Sequence, residues 1–570
     1  MTKVSVVVPV YNPGEYLRAC VRSLLRQTMP AGELEVVFVD DGSTDGSPSY
    51  LDELAAEHPH LKVIHQPNSG WPGQPRNVGL AAATGEYVFF CDHDDWFERD
   101  ALQRLHEFAT EHQSDVVLPK MGGVDRPVPH HVFARTRPEV TLSDAPIMDS
   151  LTPHKLFRRA FLDEHQIRFP EGRRRLEDHL FVVTAYLLAE TISIYADSTC
   201  YIHIARADAE NAGFRLIEWP GYFDNLTEAI ELVEAHTEPG ELRDRILRRW
   251  LQVEMVNRLS GRRLVKMNPE EATSLFTNAA RVAARHFGPG VVALLQPLSR
   301  PVAQAIIAGD EAEVHRLALA TARWTVQPRL LQVGWLGPLL EVTGTVQLTD
   351  TAPLTDVAVP EAVLSAHASG LDGGPEARLA ALVGDLPAEE LAAGYSTAPL
   401  TLDLADRRTG ARWPVAATVH RTGLTASFTA EIDPAVVAGG RWLPKAYWDL
   451  HVQFGVLGLN QRRRLTLTEE RQPGDPLPEP REDGPRVVAY FTEQTSALSL
   501  DVGLRKHKEF RPPPTPPPPA LAPTPAPVSE PAPVPAPAPV PEPVAPPPPP
   551  PPPPSLPARG RGRLARLLRR

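Results

Sequence analysis

Three short, largely apolar runs at 4–10, 35–39 and 88–91, with a further strand-like run at 61–65, dominate the first ninety residues, and stretches of helical periodicity separate them. Continuous apolar strands of this kind are buried on both faces, as in parallel sheets covered by helices. Tyr16, Leu17, Cys20, Val21, Leu24 and Leu25 make the first helical stripe, and a second helix is predicted over 50–57. Strand, helix, strand, helix, strand at roughly 30 residues per repeat predicts a doubly wound α/β nucleotide-binding half. Its ligand loops would follow Val10, Val39, His65 and Cys91.

Those loops hold the unusual residues. After Cys91 come Asp92, His93, Asp94 and Asp95, three carboxylates in four positions at a strand end. Carboxylate oxygens are hard ligands suited to Mg²⁺ or Mn²⁺, and a substrate's phosphates can complete such a shell. The same cluster also suits a solvated acidic turn or a helix cap. Val39 is followed by Asp40-Asp41-Gly-Ser-Thr-Asp45, and His65 by Gln66-Pro-Asn68-Ser-Gly70 and Pro75-Arg76-Asn77-Val-Gly79. With Pro9-Val-Tyr11-Asn12, five motifs stand in order, and together they resemble the inverting family 2 glycosyltransferases of GT-A (Rossmann-like) fold.

The resemblance implies a role for each matching position. Pro9, Tyr11 and Asp41 would line the uracil and ribose pocket of a UDP-sugar, with Asp41 accepting the imide N–H of the base. Asn68 and Arg76 would lie near base and diphosphate; Asp92, His93 and Asp94 would meet the ribose and the metal, with Asp94 and Asp92 as the metal ligands. Pro75 departs from the small residue more usual in the family. Further on, Glu177-Asp178 matches the acidic pair whose second member is the catalytic base, as an in-line displacement requires one carboxylate to take the acceptor's proton. An acidic pair at a helix start also suits the helix dipole alone. Arg206 matches a late basic residue on a loop over the diphosphate, and His203 reads as structural or as a metal ligand. Residues 156–162 resemble the family's helix before the acceptor site, and 120–150 read as an acceptor-facing loop.

Composition changes along the 570 residues define the rest. We assign 1–213 to the catalytic domain, 214–332 to a small helical domain, and 333–510 to an immunoglobulin-like β-sandwich of short alternating strands. Residues 511–557 hold 27 of the 63 prolines and cannot build a core, so a disordered, extended spacer is expected, and such runs also bind SH3-type modules. The tail, 558–570, sets six arginines among three leucines, which suits weak contact with an anionic leaflet or plain disorder.

A net charge of −12 gives no reason to expect nucleic acid. Three cysteines without metal-ligand spacing fit a reducing cytosol, the apolar start at Val4 leaves no room for a signal peptide, and no apolar run reaches membrane-span length. The expected location is cytoplasmic, with peripheral contact on the inner membrane face. The Gln-x-x-Arg-Trp motif of processive polymerases is missing: Arg249-Trp250 occurs, but Ile246 stands three places earlier. The order of domains is similar to that of the wall teichoic acid glycosyltransferases. By that resemblance the acceptor is an anionic glycopolymer or a lipid-linked precursor, the donor UDP-GlcNAc, the cofactor Mn²⁺ or Mg²⁺, and the C-terminal region a site of trimer formation. Transfer to exopolysaccharide repeat units and a catalytically silent glycan-binding scaffold are the other readings; the intact Asp41, Asp92, Asp94 and Asp178 speak against silence.

Overall fold

In the computed structural model, strands β1 (Val4–Val10), β2 (Leu34–Asp40), β3 (Leu61–His65) and β4 (Tyr87–Phe90) run parallel in the order β3-β2-β1-β4. The described residues are 1–504 without 125, 207–216, 351–373, 385, 398, 439, 468–476 and 479–483; the proline-rich stretch and the basic tail lie outside them, as does the 213/214 boundary. Every residue of β1 and β2 is buried, because α1 (Tyr16–Leu25), α2 (Ser47–Glu57) and α3 (Gly73–Ala82) cover the sheet. Parallel order brings the C-terminal ends of these strands to one edge, so the motif-bearing loops share one rim. All three cysteines are buried and free.

β5 (Trp96–Phe97) and α4 (Ala101–Glu111) follow, then β6 (Val116–Pro119), β7 (Met121–Val124), β8 (Arg137–Val140) and β9 (Leu156–Arg158). The stretch read as a helix at 156–162 begins as this strand, and only Arg159–Glu164 (α5) is helical. Leu156 and Phe157 are fully buried because β9 fills the gap between β4 and β6, antiparallel to both. Likewise, the stretch read as a loop at 120–150 contains β7, β8 and two short 3-10 turns. After α6 (Glu177–Leu188) come β10 (Ile192–Tyr195) and β11 (Tyr201–Ile204). The large sheet has the order β3-β2-β1-β4-β9-β6-β10-β8, and a small one the order β5-β11-β7.

α7 (Trp219–His236), α8 (Glu241–Trp250), α9 (Gly261–Val265), α10 (Pro269–His286), α11 (Pro289–Ala293), α12 (Ser299–Ala308) and α13 (Glu311–Ala322) form the helical region. α8 stops at Trp250 and passes into a π turn, Leu251–Val256. Asn268 and Asp310 cap α10 and α13 by accepting backbone N–H groups. Among the described residues, no helix is long and apolar enough to cross a membrane.

The C-terminal region is β-rich. β12 (Thr325–Leu336) and β13 (Leu339–Thr349) open it, and two helices, Pro375–Ala381 and Ala388–Ser396, precede β14 (Leu400–Asp406). β15 (Arg412–Val415), β16 (Ala417–Thr422), β17 (Thr425–Ile432), β18 (Tyr447–Val456), β19 (Leu459–Arg464), β20 (Leu477–Pro478), β21 (Val487–Phe491) and β22 (Leu498–Val502) follow. They make two sheets, β12-β13-β17-β16 and β15-β14-β18-β22-β21-β20, with β19 paired to β18. Alternate residues of β13 and β17 are buried, so one face of that sheet is packed.

A glycine sets how closely α3 approaches the catalytic sheet. A Cβ on Gly79 would collide with Val7 Cγ1 and lie 3.3 Å from Val39 Cγ2. Gly79→Ala gains up to about 1 kcal/mol of helix propensity, but overpacking costs about 1–3 kcal/mol. Urea denaturation should therefore show a net loss of stability; a gain would remove this packing account.

Candidate active site

Three separate elements deliver charged groups to one point. Arg76, on α3, is 4% exposed; its Nη2–H donates to Asp92 Oδ1 at 2.9 Å and its Nη1–H to Glu177 Oε1 at 3.0 Å. Its guanidinium also lies 5.2 Å from the Phe169 ring centroid. The remaining oxygen of Glu177 accepts the Trp71 indole N–H at 2.7 Å, so both its oxygens are engaged. Phe90, Phe157, Phe169 and Phe181 clamp α6 against the ends of β4 and β9, with Phe169 and Phe181 stacked at 3.9 Å. Leu176, just before α6, takes the left-handed conformation at φ 61°. Such strain costs on the order of 1–3 kcal/mol and persists where surrounding structure enforces it; here it turns the chain so that Glu177 and Asp178 open the helix.

Asp178 differs from its neighbour. It is half-buried, and Oδ1 accepts the His179 backbone N–H at 2.9 Å. Burial pushes its carboxyl up to about 7, the Glu177 charge adds to this, and Arg76 opposes it. A carboxylate poised near neutrality can both hold and release a proton.

On the strand side, Asp92 turns Oδ1 to Arg76 and Oδ2 towards His154 Nε2, 3.5 Å away. Asp95 is fully buried; Oδ2 accepts the Tyr201 hydroxyl at 2.7 Å and Oδ1 the Ile204 N–H at 2.8 Å. Asp92, Asp95, His154 and His203 bring ligand atoms within 4.8 Å of one another. His154 Nδ1–H donates to the Phe90 carbonyl at 3.1 Å, which leaves the Nε2 lone pair facing the carboxylates. His203 Nε2 is buried without a hydrogen-bond partner. Burial lowers the His154 imidazole to about 4 and His203 well below its usual range, so both rings are neutral at pH 7. Two imidazole lone pairs and two carboxylates converging in a buried site fit a divalent cation. Burial would raise Asp92, but the His154 imidazolium that forms at low pH and the Arg76 guanidinium outweigh it and hold that carboxyl well below the usual range. Asp94 is 4% exposed and pushed up by burial, and its atoms stand outside the four-residue cluster.

The residues expected at the nucleotide fall into two groups. Asp41 accepts from Ser69 N–H at 3.0 Å and Ser69 Oγ at 2.9 Å, and from Gln66 Nε2 at 2.5 Å, while Asn68 Nδ2 donates to its carbonyl at 2.9 Å. His93 Nδ1–H donates to the Pro9 carbonyl at 3.1 Å, and Arg206 Nη1 lies 3.5 Å from His93 Nε2 and its guanidinium 4.9 Å from the Tyr16 ring centroid. Tyr11, at the end of β1, is 40% exposed.

Sequence reasoning passed over His154, Trp71 and Arg126. Arg126, whose Nη1–H donates to the Ile204 carbonyl at 3.4 Å, acts electrostatically on Asp92, Asp94 and Asp95. His154 precedes β9, and only the insertion of that strand between β4 and β6 brings it beside Asp92. Arg126 follows β7, in a stretch read as a loop.

A parallel sheet with acidic loops at its carboxyl rim, an adjoining cluster of carboxylates and imidazoles, and a raised carboxylate on a separate helix are arranged as in a GT-A fold. The chain belongs to glycosyl transferase family 2, whose description matches residues 5–166. The TarS linker domain description matches residues 220–318. Over 235 residues the chain is 37% identical to a poly(ribitol-phosphate) beta-glucosyltransferase of Bacillus spizizenii, covering 41% of this chain and 37% of that protein. Over 254 residues it is 39% identical to the poly(ribitol-phosphate) beta-N-acetylglucosaminyltransferase TarS of Staphylococcus aureus, covering 44% of each. The matches thus span less than half the length of these curated relatives. The crystal structure of S. aureus TarS 1–349 in complex with UDP-GlcNAc is 32% identical with a TM-score of 0.50, covering 56% of this chain and 90% of that one.

The Arg76 bridge makes a stability prediction. Replacing one partner of a buried ion pair leaves an uncompensated charge at a cost of about 3–5 kcal/mol. Arg76→Gln strands Glu177, whose side chain is 9% exposed, beside Asp92. A fall of that size in unfolding free energy is expected; a change under about 1 kcal/mol contradicts the bridge.

Proposed function

We propose that the chain transfers a sugar, with inversion, from a UDP-sugar to a hydroxyl of an anionic polyol-phosphate polymer of the cell wall. The observation that carries this reading is Asp178: a half-buried carboxylate raised to about 7 beside a glutamate already committed to Arg76 and Trp71. The acceptor O–H gives its proton to Asp178 while its oxygen attacks the anomeric carbon. The bond from that carbon to the diphosphate oxygen breaks, and the electron pair leaves with UDP. Asp41 and Asn68 would hold the uracil, and Pro9, Tyr11 and His93 the ribose side. Arg206 would close on the diphosphate. Asp92, Asp95, His154 and His203 would hold the cation, with Asp94 beside them; two imidazole nitrogens favour Mn²⁺ over Mg²⁺. When bound, the ion supplies Lewis-acid stabilisation of the leaving diphosphate. The relatives' names support a ribitol-phosphate acceptor, and the TarS complex supports UDP-GlcNAc as donor.

The same reading extends to the rest of the chain. The two C-terminal sheets would form an immunoglobulin-like sandwich that organises homotrimers, and the six arginines of 558–570, outside the described residues, would favour contact with an anionic membrane face. The domain limits are those drawn from composition.

Asp178→Asn keeps the shape and removes the proton acceptor. UDP-sugar affinity should persist while transfer to the polymer falls by roughly 10²–10⁴. Near wild-type transfer by this variant removes Asp178 as the base. Because its folded value lies above the ordinary carboxylate range, the base is protonated below about 7. The transfer rate should therefore climb tenfold per pH unit up to about 7 and level off above it; a rate independent of pH from 5 to 8 contradicts the assignment.

Chelation tests the cation. Excess EDTA should stop UDP release from the donor, and Mn²⁺ should restore it. Full turnover in EDTA excludes a catalytic ion at this cluster.

A further inference from the structure

The small sheet behind the cation cluster is gripped from outside by the C-terminal sheets. β7 pairs in parallel with β11, so that His203 stands opposite Gly123 and Ile202 opposite Gly122. The turn between β14 and β15 sits on these two glycines. A Cβ at Gly122 would lie 2.8 Å from the Thr409 carbonyl oxygen, and one at Gly410 would collide with the Gly123 carbonyl oxygen. Two backbones can touch here only because neither glycine carries a side chain.

The turn is rigid in itself. The Asp406 carboxylate accepts the Arg408 N–H at 2.8 Å and the Thr409 hydroxyl at 2.7 Å, and the Gly410 N–H donates to the Asp406 carbonyl at 2.8 Å. Gly410 lies at φ +61°, a conformation suited to glycine. Beside it, Lys120 Nζ stands 3.7 Å from the Trp413 ring centroid, both residues being buried. Lys120 binds the catalytic side through its backbone: its N–H donates to Tyr195 and its carbonyl accepts from Cys200, the residue before β11.

β11 carries the anchors of the cation cluster. The Tyr201 hydroxyl donates to Asp95 and accepts the Asp92 N–H at 3.1 Å, the Ile204 N–H donates to Asp95, and His203 is itself a member. A shift of β11 against β4 would therefore draw His203 away from Asp92 and His154 and loosen the Tyr201 and Ile204 hydrogen bonds that orient Asp95.

We propose that the turn 406–411 of the C-terminal region is a positioning element of the active site: seated on Gly122 and Gly123, it fixes β11 and with it the His203 and Asp95 arm of the cation cluster. This rests on the reading of that cluster as a metal site. The C-terminal sheets then enter the reaction through strand placement, in addition to any role in assembly or polymer holding.

The test uses the full chain with Gly410→Ala and Trp413→Leu, against Gly423→Ala. Gly423 occupies another turn of the C-terminal sheets at φ +57°, where a Cβ would collide only with the Glu376 side chain. It imposes similar backbone strain away from β7. Mn²⁺ alone is titrated calorimetrically, and amide hydrogen exchange is followed across Tyr201–Ile204. Both turn variants should bind Mn²⁺ about tenfold more weakly or worse, as for other residues that support metal ligands, and should exchange faster in β11. Gly423→Ala should match wild type in both measurements even where its thermal midpoint falls. Wild-type affinity and exchange in both turn variants, or an equal change in Gly423→Ala, overturns the proposal. A wild-type protein that binds no Mn²⁺ defeats the metal reading instead, and exchange in Tyr201–Ile204 then decides the positioning role alone.

Discussion

One buried guanidinium holds the site together. Arg76 takes a carboxylate from the end of β4 and another from the start of α6, elements far apart in the chain. Desolvating such charges is costly, and the arrangement persists only where geometry and further hydrogen bonds compensate. Here the second oxygen of Glu177 goes to Trp71 and the second oxygen of Asp92 to the cation cluster. The bridge therefore fixes the distance between the carboxyl rim of the sheet and the helix that bears Asp178.

The bridge also separates neighbours chemically. Glu177 and Asp178 are adjacent and both acidic, yet one is consumed in structural hydrogen bonds while burial and charge repulsion raise the other to about 7. Asp92 and Asp95 diverge in the same way, the first held low against burial by His154 and Arg76, the second raised by burial and by Asp94 and Asp92. Groups of one type pushed apart by their surroundings are the usual sign of divided roles.

The regions after the catalytic sheet press on the site from two sides. Trp250, at the end of α8, is fully buried, and its indole N–H reaches His179 Nδ1 at 3.3 Å, next to Asp178. The π turn that follows carries Glu254, which gathers Arg249, Arg258 and the Tyr222 hydroxyl into a buried network. On the other side, the 406–411 turn meets β7. The active site is thus bounded by residues from along most of the described chain.

The sequence by itself determined the alternation of buried strands and amphipathic helices, because periodicity reports burial directly, and that alternation dictated a parallel sheet with its motif loops on one rim. It also located the acidic runs and the change to helical and then β-rich segments. Residue type and spacing suffice for these, since each depends on neighbours within a few positions. Tertiary structure alone decided how the acids divide their work. His154 reaches Asp92 only because β9 inserts antiparallel between β4 and β6, an order that local pattern does not encode. Trp71 and Glu177 stand 106 positions apart, and their contact, which leaves Asp178 as the poised carboxylate, exists only after the sheet and α6 have packed. The stretch 156–162, expected as a helix from the resemblance, opens as a strand because pairing with β4 and β6 buries Leu156 and Phe157.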